Sequence, residues 1–439
     1  MTPAGGIAFV LVALGGLMLS VKALRQRGAV QPETARKAVH LGMGTLCLFF
    51  PWIFDQVWPV WILAALALLL LAGVRCVPAL IRGVGSVLHD VNRASLGELC
   101  FPLGVAVVFT LVQGDPLPFV IPVALLTFAD AAGAMIGTRW GRHTYVTLEG
   151  TKSVEGSLAV GITGMLATVI PLLLSGHTLA ASVLMGAAIG LFALNLEAVS
   201  WHGLDNIFLP LAVYAQINVH LDVSVPVLAA NLSVLFVLTV VALIWRRGQI
   251  VDDSARLGCA LALYFFWTVG GPAWLAAPVI LLFSYVRLMP AAPKDMPRHN
   301  LVAVLCVSSA CLIWAVAEAF APHPRWLALF TLGTATHQAM IAIVRFSQKH
   351  PQWSRLTWWS VGVAQAIITQ GLAYTLLTWG EPGIATTVAA GSACVAVAAG
   401  VFVLVERQLQ SPDNLTLRWW RQGAAALLAS ACGLLLFQL

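Results

Sequence analysis

The chain has 439 residues, of which 60% are hydrophobic and 10% are charged, and its formal net charge is +6 at pH 7. Ordinary soluble domains contain about 45–50% apolar and about 25% charged residues. The composition therefore excludes a soluble globular enzyme and a disordered chain. It predicts an all-α, polytopic transmembrane helical bundle. The positive charge is attributed to membrane topology, and nucleic acid is not expected as a partner.

The first apolar run is predicted to be a retained helix whose N-terminus lies outside the membrane. A signal peptide carries its positive residues before the apolar run, whereas Lys22, Arg25 and Arg27 follow it here. Apolar runs of the length that spans a bilayer fill nearly the whole chain and predict about 14 to 16 spans. In chain order they lie at 5–21, 38–54, 57–74, 98–113, 117–138, 156–175, 179–198, 205–220, 225–245, 257–270, 272–288, 300–321, 326–344, 356–379, 384–405 and 422–438.

The distribution of positive charge supports this alternation of spans. With the N-terminus outside, 23 of the 24 lysines and arginines fall on the inner side, and Arg325 is the exception. This bias follows the positive-inside rule. We therefore expect a multi-pass protein of a prokaryotic inner membrane.

A charged inner loop, RRGQIVDDSAR at 246–256, divides the sequence into two parts. We predict a catalytic transmembrane domain over 1–245, a linker over 246–256, and a second transmembrane domain over 257–439. The last part carries no recognised motif, and its role is left open. An oligomer is compatible with the sequence but is not predicted.

Polar residues inside apolar spans are costly and mark candidate functional sites. The main concentration begins at Asp130, which Gly133, Gly137 and Gly141 follow at helical spacing. These four positions share one narrow helix face. A face without side chains admits a ligand close to the backbone. A small-residue face for helix packing is the alternative explanation.

Charged residues of both signs follow on the predicted cytoplasmic side. They are Arg139, Arg142, Lys152, Ser153, Glu155 and Gly156. Thr151 or Ser153 is expected to cap the next helix. Positive side chains beside a helix N-terminus favour an anion, and nearby carboxylates favour a divalent cation. The pattern indicates a nucleotide phosphate with magnesium, although the Walker P-loop pattern does not occur here.

Three further inner segments add to this set. They bring Arg36, Lys37 and His40 at 33–44; Arg93, Glu98 and Pro102 at 93–104; and Asn195, Glu197, Asp205 and Asn206 at 194–210. The charge distribution puts all of them on one side of the membrane, where nucleoside triphosphates are available.

These segments resemble the polyprenol kinase family, which includes dolichol kinases and phytol kinases. The resemblance rests on RKAVH at 36–40, GELCFPLG at 97–104, the glycine run from Asp130, KSVEGS at 152–157 and GLDNIFLP at 203–210. It covers residues 33–210, and the last motif is more similar to phytol kinases. Gly133 stands where many relatives have Ala. The resemblance implies transfer of the γ-phosphate of CTP to a long-chain isoprenoid alcohol, with Mg²⁺ as cofactor.

On this hypothesis Asp130 and Asp205 hold magnesium, with Glu98, Glu155 or Glu197 as further ligands. Lys152 would hold the triphosphate together with Arg139 or Arg142, and Arg36 and Lys37 would bind a donor or product phosphate. Asp205, Asp130 and His40 are the candidate bases, in falling order. Pro102 and Asn206 are further candidate site residues, because they belong to the matched motifs.

Two other functions stay open. A CTP:phosphatidate-type cytidylyltransferase shares part of the signature, but Asp205 and Asn206 stand where that family continues with a different segment. A lipid-phosphate transporter fits the high span count, although carriers usually bind near the bilayer midplane. Diacylglycerol is an alternative acceptor within the kinase hypothesis.

Overall fold

The computed structural model describes residues 1–76, 97–112, 115–147, 150–199, 203–245, 251–291, 297–406, 408–410 and 415–436. The chain divides into two compact units, Met1–Val237 and Leu238–Leu439. The division falls within a helix, ahead of the predicted linker 246–256. Of that linker, residues 246–250 lie outside the described residues, as do Arg82 and Arg93 of the predicted inner loops.

The N-terminal unit is built from helices and one small hairpin. Its elements are α1 (Pro3–Gln26), α2 (Pro32–Leu48), α3 (Phe50–Ile53), α4 (Trp58–Cys76), α5 (Gly97–Leu111), α6 (Leu117–Ala124), a π-helical turn (Leu125–Ala129), α7 (Asp130–Trp140), β1 (Thr144–Thr147), β2 (Gly150–Ser153), α8 (Val154–Leu174), α9 (Leu179–Val199), α10 (Asp205–His220) and α11 (Val225–Ile244). Its core includes the fully buried side chains of Phe119, Ile121 and Val213.

All the regular elements of the C-terminal unit are helices, within its described residues. Its elements are α12 (Asp253–Gly270), α13 (Pro272–Phe283), a π-helical turn (Ser284–Leu288), α14 (Leu301–Phe320), α15 (Pro324–Lys349), α16 (Arg355–Leu377), α17 (Ile384–Val405) and α18 (Leu415–Leu436). Helix α15 is the most buried of the long apolar helices. Phe330 on α15 contacts the aromatic rings of Phe266 and Trp274, which anchors α12 and α13 against it.

Among the described residues, nine helices are long and apolar enough to cross a membrane. They are Pro3–Gln26, Leu117–Trp140, Val154–Leu174, Leu179–Val199, Val225–Ile244, Leu301–Phe320, Pro324–Lys349, Arg355–Leu377 and Ile384–Val405. Shorter apolar helices lie at Trp58–Gly73, Gly97–Leu111 and Pro272–Leu288. The protein is an all-α, multi-pass integral membrane protein, as predicted. The count of 14 to 16 spans and the outside N-terminus stay predictions.

Helices α12 and α18 begin earlier than their apolar runs predict. Asp252 caps α12 by accepting a hydrogen bond from the Ala255 backbone N–H, so the end of the predicted linker is helical. Helix α18 begins at Leu415 rather than at 422, because its charged first turns have partners. Arg421 pairs with Glu406, and Arg418 donates to the carbonyl of Gln408.

The predicted inner loop between α7 and α8 contains an antiparallel β-hairpin. Its first strand, TYVT, consists of β-branched and aromatic residues, which favour extended backbone. Gly150 has a φ of +130°, which side-chain-bearing residues rarely adopt. Tyr145 lies opposite Lys152 in the hairpin, so both side chains lie on the same face.

Candidate functional site

The first turns of α2 contact the start of α7 through a partly buried ion pair. The Nζ atom of Lys37 lies 2.6 Å from Oδ2 of Asp130, and the Lys37 side chain is 8% exposed. Asp130 directly follows the π-helical turn of the span, a feature often found at functional sites. The charge of Arg36 also acts on Asp130. Two motifs far apart in the sequence thus meet at one carboxylate.

His40 lies one helical turn after Arg36 and faces the same region. Its Nε2 atom is 3.2 Å from the carbonyl oxygen of Leu126 and 3.7 Å from Oδ2 of Asp130. Because a carbonyl oxygen only accepts hydrogen bonds, we assign the ring hydrogen to Nε2. This nitrogen then has no lone pair to accept a proton, which weakens the case for His40 as a base.

The hairpin places a second lysine, Lys152, beside a second carboxylate, Glu197. Lys152 Nζ lies 2.6 Å from Oε1 of Glu197 and 2.6 Å from the Glu197 backbone carbonyl. Both side chains are about one-fifth exposed, at 21% and 20%. Burial alone would lower the pKa of Lys152, but the charges of Glu197 and then Asp205 raise it above its ordinary value. Lys152 is therefore a firmly protonated cation held at the end of α9.

The two ion pairs belong to one electrostatic neighbourhood. The charges of Asp130 and Lys37 act on Glu197, as does that of Lys152. Asp205, the first residue of α10, acts on Lys152. The structure thus brings together two lysines and three carboxylates from α2, α7, β2, α9 and α10. We call this set the lysine–carboxylate cluster: Lys37, Asp130, Lys152, Glu197 and Asp205.

The glycine run of α7 packs against the start of α8. A Cβ atom at Gly133 would lie 2.5 Å from Cγ2 of Val160, and one at Gly156 would lie 3.1 Å from Cα of Gly137. Gly141 ends the helix, and a Cβ there would lie 2.3 Å from the Gly137 carbonyl oxygen. The alternative explanation, close helix packing, accounts for the contacts of Gly133 and Gly156. A nucleotide-binding role for the glycines stays a prediction.

Ser153 caps α8, as predicted, by accepting a hydrogen bond from the Gly156 backbone N–H. Glu155 holds the preceding loop. Its carboxylate accepts hydrogen bonds from the backbone N–H of Arg142 at 3.1 Å and of His143 at 3.2 Å, and it contacts Nδ1 of His143 at 2.7 Å. In this structure Glu155 fixes the turn that leads into the hairpin.

The predicted phosphate-binding residues Arg139 and Arg142 lie at the C-terminal end of α7, and both are exposed. The Arg139 guanidinium lies 5.1 Å from the centroid of the exposed Trp140 ring. Their predicted role requires a ligand that extends from the lysine–carboxylate cluster to the surface.

The motifs at 97–104 and 203–210 meet where α5 crosses α10. A Cβ atom at Gly104 would lie 2.3 Å from the Asn206 carbonyl oxygen. Pro102 lies within α5, and Glu98 lies in its first turn. The charge of Asp205 acts on the thiol of Cys100, which lies two residues after Glu98 in the same helix. The predicted residues Pro102 and Asn206 thus belong to a helix crossing that positions Asp205.

Replacing Gly104 by Ala is expected to destabilise the protein by about 1–3 kcal/mol, because its methyl group would overlap a backbone oxygen. The loss is measured as a lower midpoint of thermal unfolding in detergent. Gly16→Ala is the matched control, because nothing lies within 4 Å of a Cβ at that exposed helix position. An equal effect of both substitutions would contradict the close crossing of α5 and α10.

The predicted magnesium ligands Asp130, Asp205, Glu98 and Glu197 do not form a protein-only metal site. Within the ranges that the structure describes, no group of three or more His, Cys, Asp or Glu side chains is placed to hold a metal ion. Asp130 and Glu197 are each neutralised by a lysine. Magnesium commonly takes one or two carboxylates and obtains its other ligands from water and substrate phosphates. The cluster therefore fits an ion that arrives with a nucleotide.

Tyr145 was not predicted from the sequence. Its hydroxyl group lies 2.7 Å from Oγ of Ser157, and its ring shares a hairpin face with Lys152. Burial raises the pKa of Tyr145, so its hydroxyl stays protonated. The β-branched run TYVT before a glycine was the available signal for this hairpin.

Comparison with known proteins supplies a relative for part of the chain. The phytol kinase of Synechocystis sp. is 30% identical over 203 residues, which represent 45% of this chain and 84% of that protein. No protein-family model matches the chain. No solved structure matches it.

Proposed function

This chain belongs to the phytol kinase family, and we propose that it transfers the γ-phosphate of CTP to the hydroxyl group of a long-chain isoprenoid alcohol. Phytol, geranylgeraniol and similar prenols are the proposed acceptors. The reaction is proposed to take place at the cytoplasmic face of the membrane. The observation that carries the proposal is the lysine–carboxylate cluster, in which the motifs predicted from the sequence converge.

The cluster has the charges that phosphoryl transfer requires. Such enzymes act mainly by positioning the phosphates and stabilising their negative charge. In the structure, Lys37 is bound to Asp130 and Lys152 to Glu197. A triphosphate offers the lysines stronger anionic partners, and its magnesium ion offers the carboxylates a cation. We infer that both lysines move from carboxylate to phosphate when the nucleotide binds.

Magnesium would neutralise the phosphate oxygens during transfer, and Asp130 and Asp205 are the proposed protein ligands. The acceptor hydroxyl also needs a base within hydrogen-bond reach. Asp205 is the better candidate, since Asp130 is held by Lys37 and the His40 nitrogen nearest Asp130 carries hydrogen. The acceptor's apolar tail would lie among the apolar helices of the membrane domain.

The experiment uses purified full-length protein in detergent with CTP, MgCl₂ and a panel of acceptors. The panel contains phytol, geranylgeraniol, dolichol, diacylglycerol and phosphatidate, and the nucleotide product is identified. CDP formed only with an isoprenoid alcohol is the expected result. CDP formed with diacylglycerol would change the proposed acceptor. Pyrophosphate formed with phosphatidate would replace the kinase by the cytidylyltransferase alternative, and ATP in place of CTP tests the donor.

Glu197→Gln is expected to move the alkaline limb of the pH profile of kcat/KM for CTP, which reports the free enzyme, to lower pH. Glu197 is the largest contributor that raises the pKa of Lys152, whereas burial lowers it. In the wild type, the lysine keeps its proton beyond its ordinary pKa of about 10.4. In the variant, Lys152 loses its proton at lower pH, and with the proton it loses the charge that binds phosphate. Glu318→Gln is the matched control, and coincident alkaline limbs for wild type and Glu197→Gln would contradict the pairing.

A further inference from the structure

A charged side chain that forms no ion pair with any described residue is buried in the C-terminal unit. Arg345 on α15 is 5% exposed. Within the described part of the chain, no carboxylate forms an ion pair with it. Its Nη1 atom is buried and has no hydrogen-bond partner among these residues. A buried unpaired charge costs several kcal/mol, so it calls for a functional explanation.

Arg345 contacts the uncharged side chain of Tyr285. Nη2 of Arg345 donates to the hydroxyl oxygen of Tyr285, and the guanidinium carbon lies 4.8 Å from the Tyr285 ring centroid. Tyr285 lies in the π-helical turn that ends α13. Its hydroxyl oxygen lies 2.9 Å from Nε2 of His299, just before α14. Three elements of the unit thus meet at one buried cation.

His299 adds a second donor. Burial, followed by the charge of Arg345, lowers the pKa of His299 to about 4, so the ring is neutral at physiological pH. Because the Tyr285 oxygen accepts from Arg345, the Tyr285 hydroxyl hydrogen is assigned to His299 Nε2. The ring hydrogen then lies on Nδ1, which is buried without a hydrogen-bond partner among the described residues. Among the described residues, the cluster therefore contains one positive charge and two donors without an acceptor, Arg345 Nη1 and His299 Nδ1.

The missing partner has the chemistry of an oxyanion. A guanidinium group binds phosphate through several charge-assisted hydrogen bonds, and a neutral imidazole N–H adds another. A phosphate has enough acceptor oxygens for both donors, and its charge offsets that of Arg345. The cluster lies at the end of the unit where α14 begins and α15 ends, on the side predicted to face the cytoplasm.

We propose that Arg345, Tyr285 and His299 form a phosphate-binding site in the C-terminal unit. The phosphate is either the head group of a lipid monophosphate or free inorganic phosphate. This site does not use the residues of the lysine–carboxylate cluster and does not depend on the proposed kinase activity. It gives the unit a binding role that the sequence motifs did not suggest.

The test is a thermal-unfolding titration of the full-length protein in detergent without nucleotide. The probes are geranylgeranyl monophosphate, inorganic phosphate and uncharged geranylgeraniol. Each titration is repeated with Lys37→Met and Lys152→Met in the background, because the alcohol and its monophosphate are also the proposed substrate and product of the lysine–carboxylate cluster. Arg345→Met should weaken the apparent affinity for the phosphate probe at least about tenfold, because charge-assisted hydrogen bonds are lost. Without ligand, this variant should unfold no earlier than the wild type, since Met removes an unpaired buried charge. Arg325→Met, at the predicted outer end, is the control and should bind normally.

Each probe and each variant tests one part of the proposal. Stabilisation by inorganic phosphate equal to that by the lipid monophosphate identifies free phosphate as the ligand, whereas a much stronger lipid effect identifies a lipid. Equal stabilisation by geranylgeraniol, or unchanged binding by a folded Arg345→Met, would overturn the proposal. If Arg345→Met does not fold, the affinity for phosphate is measured with Tyr285→Phe instead. This variant retains the aromatic ring but loses the hydroxyl oxygen that accepts from Arg345. Wild-type affinity in Tyr285→Phe would overturn the proposal.

Discussion

Replacing Asp130 by Asn is expected to lower kcat for phosphoryl transfer by on the order of 10²–10³-fold. The substitution keeps the size of the side chain but removes the charge that Lys37 contacts at 2.6 Å. It also removes a proposed magnesium ligand, so the variant should need more magnesium for its remaining activity. Because it leaves a buried lysine without a counter-ion, the variant should also unfold more easily, by about 3 kcal/mol.

Asp115→Asn is the control for this experiment, because Asp115 is exposed at the predicted outer end of the same span. It should retain wild-type activity and magnesium dependence. The double variant with Lys37→Met separates the two roles of Asp130. If Asp130 only neutralises Lys37, the double variant should be no worse than either single variant. Wild-type magnesium dependence in Asp130→Asn would show that Asp130 is not a metal ligand.

Lys152→Met is expected to reduce kcat/KM for CTP by on the order of 10²-fold, because it removes a cation proposed to bind the triphosphate. The substitution also detaches the hairpin from the end of α9, since Lys152 donates to both the carboxylate and the carbonyl of Glu197. Lys152→Arg should restore only part of the activity. A planar guanidinium does not reproduce two short bonds from a single nitrogen atom.

Lys349→Met is the matched control, because Lys349 is exposed at the end of α15. It removes the same charge outside the lysine–carboxylate cluster and should leave kinetics unchanged. The readout is the split between kcat and KM for CTP, measured with saturating alcohol. An unchanged kcat/KM for CTP in Lys152→Met would contradict the assignment of Lys152 to the triphosphate.

In the C-terminal unit, the polar residues of the spans have two kinds of environment. The amide of Gln338 donates to Ser284 and Thr369, and that of Gln370 donates to the Gln338 oxygen. These contacts are hydrogen bonds between helices and require no ligand. The fully buried His337 has no hydrogen-bond partner for either ring nitrogen among the described residues. Sequence alone did not distinguish these cases, because each residue is simply a polar position in an apolar run.

The sequence by itself determined the membrane class, the approximate order of the helices and the family, and it limited the cap of α8 to Thr151 or Ser153. These properties depend on composition, on the length of apolar runs and on residues that are close in the chain, so they can be read without a fold. The phytol kinase that confirms the family is also recognised by its sequence similarity to this chain. The hairpin was missed because four-residue strands produce little signal beside long apolar helices.

Only the tertiary structure decided which charges meet. Lys37 and Asp130 are 93 residues apart, and Lys152 and Glu197 are 45 residues apart, yet each pair lies within 2.6 Å. Helix packing sets these contacts, and an individual motif carries no information about the partner of its charge. For the same reason, the packing of the glycine face of α7 against α8 became visible only in the tertiary structure. The unpaired charge of Arg345 likewise became visible only once its neighbours were known.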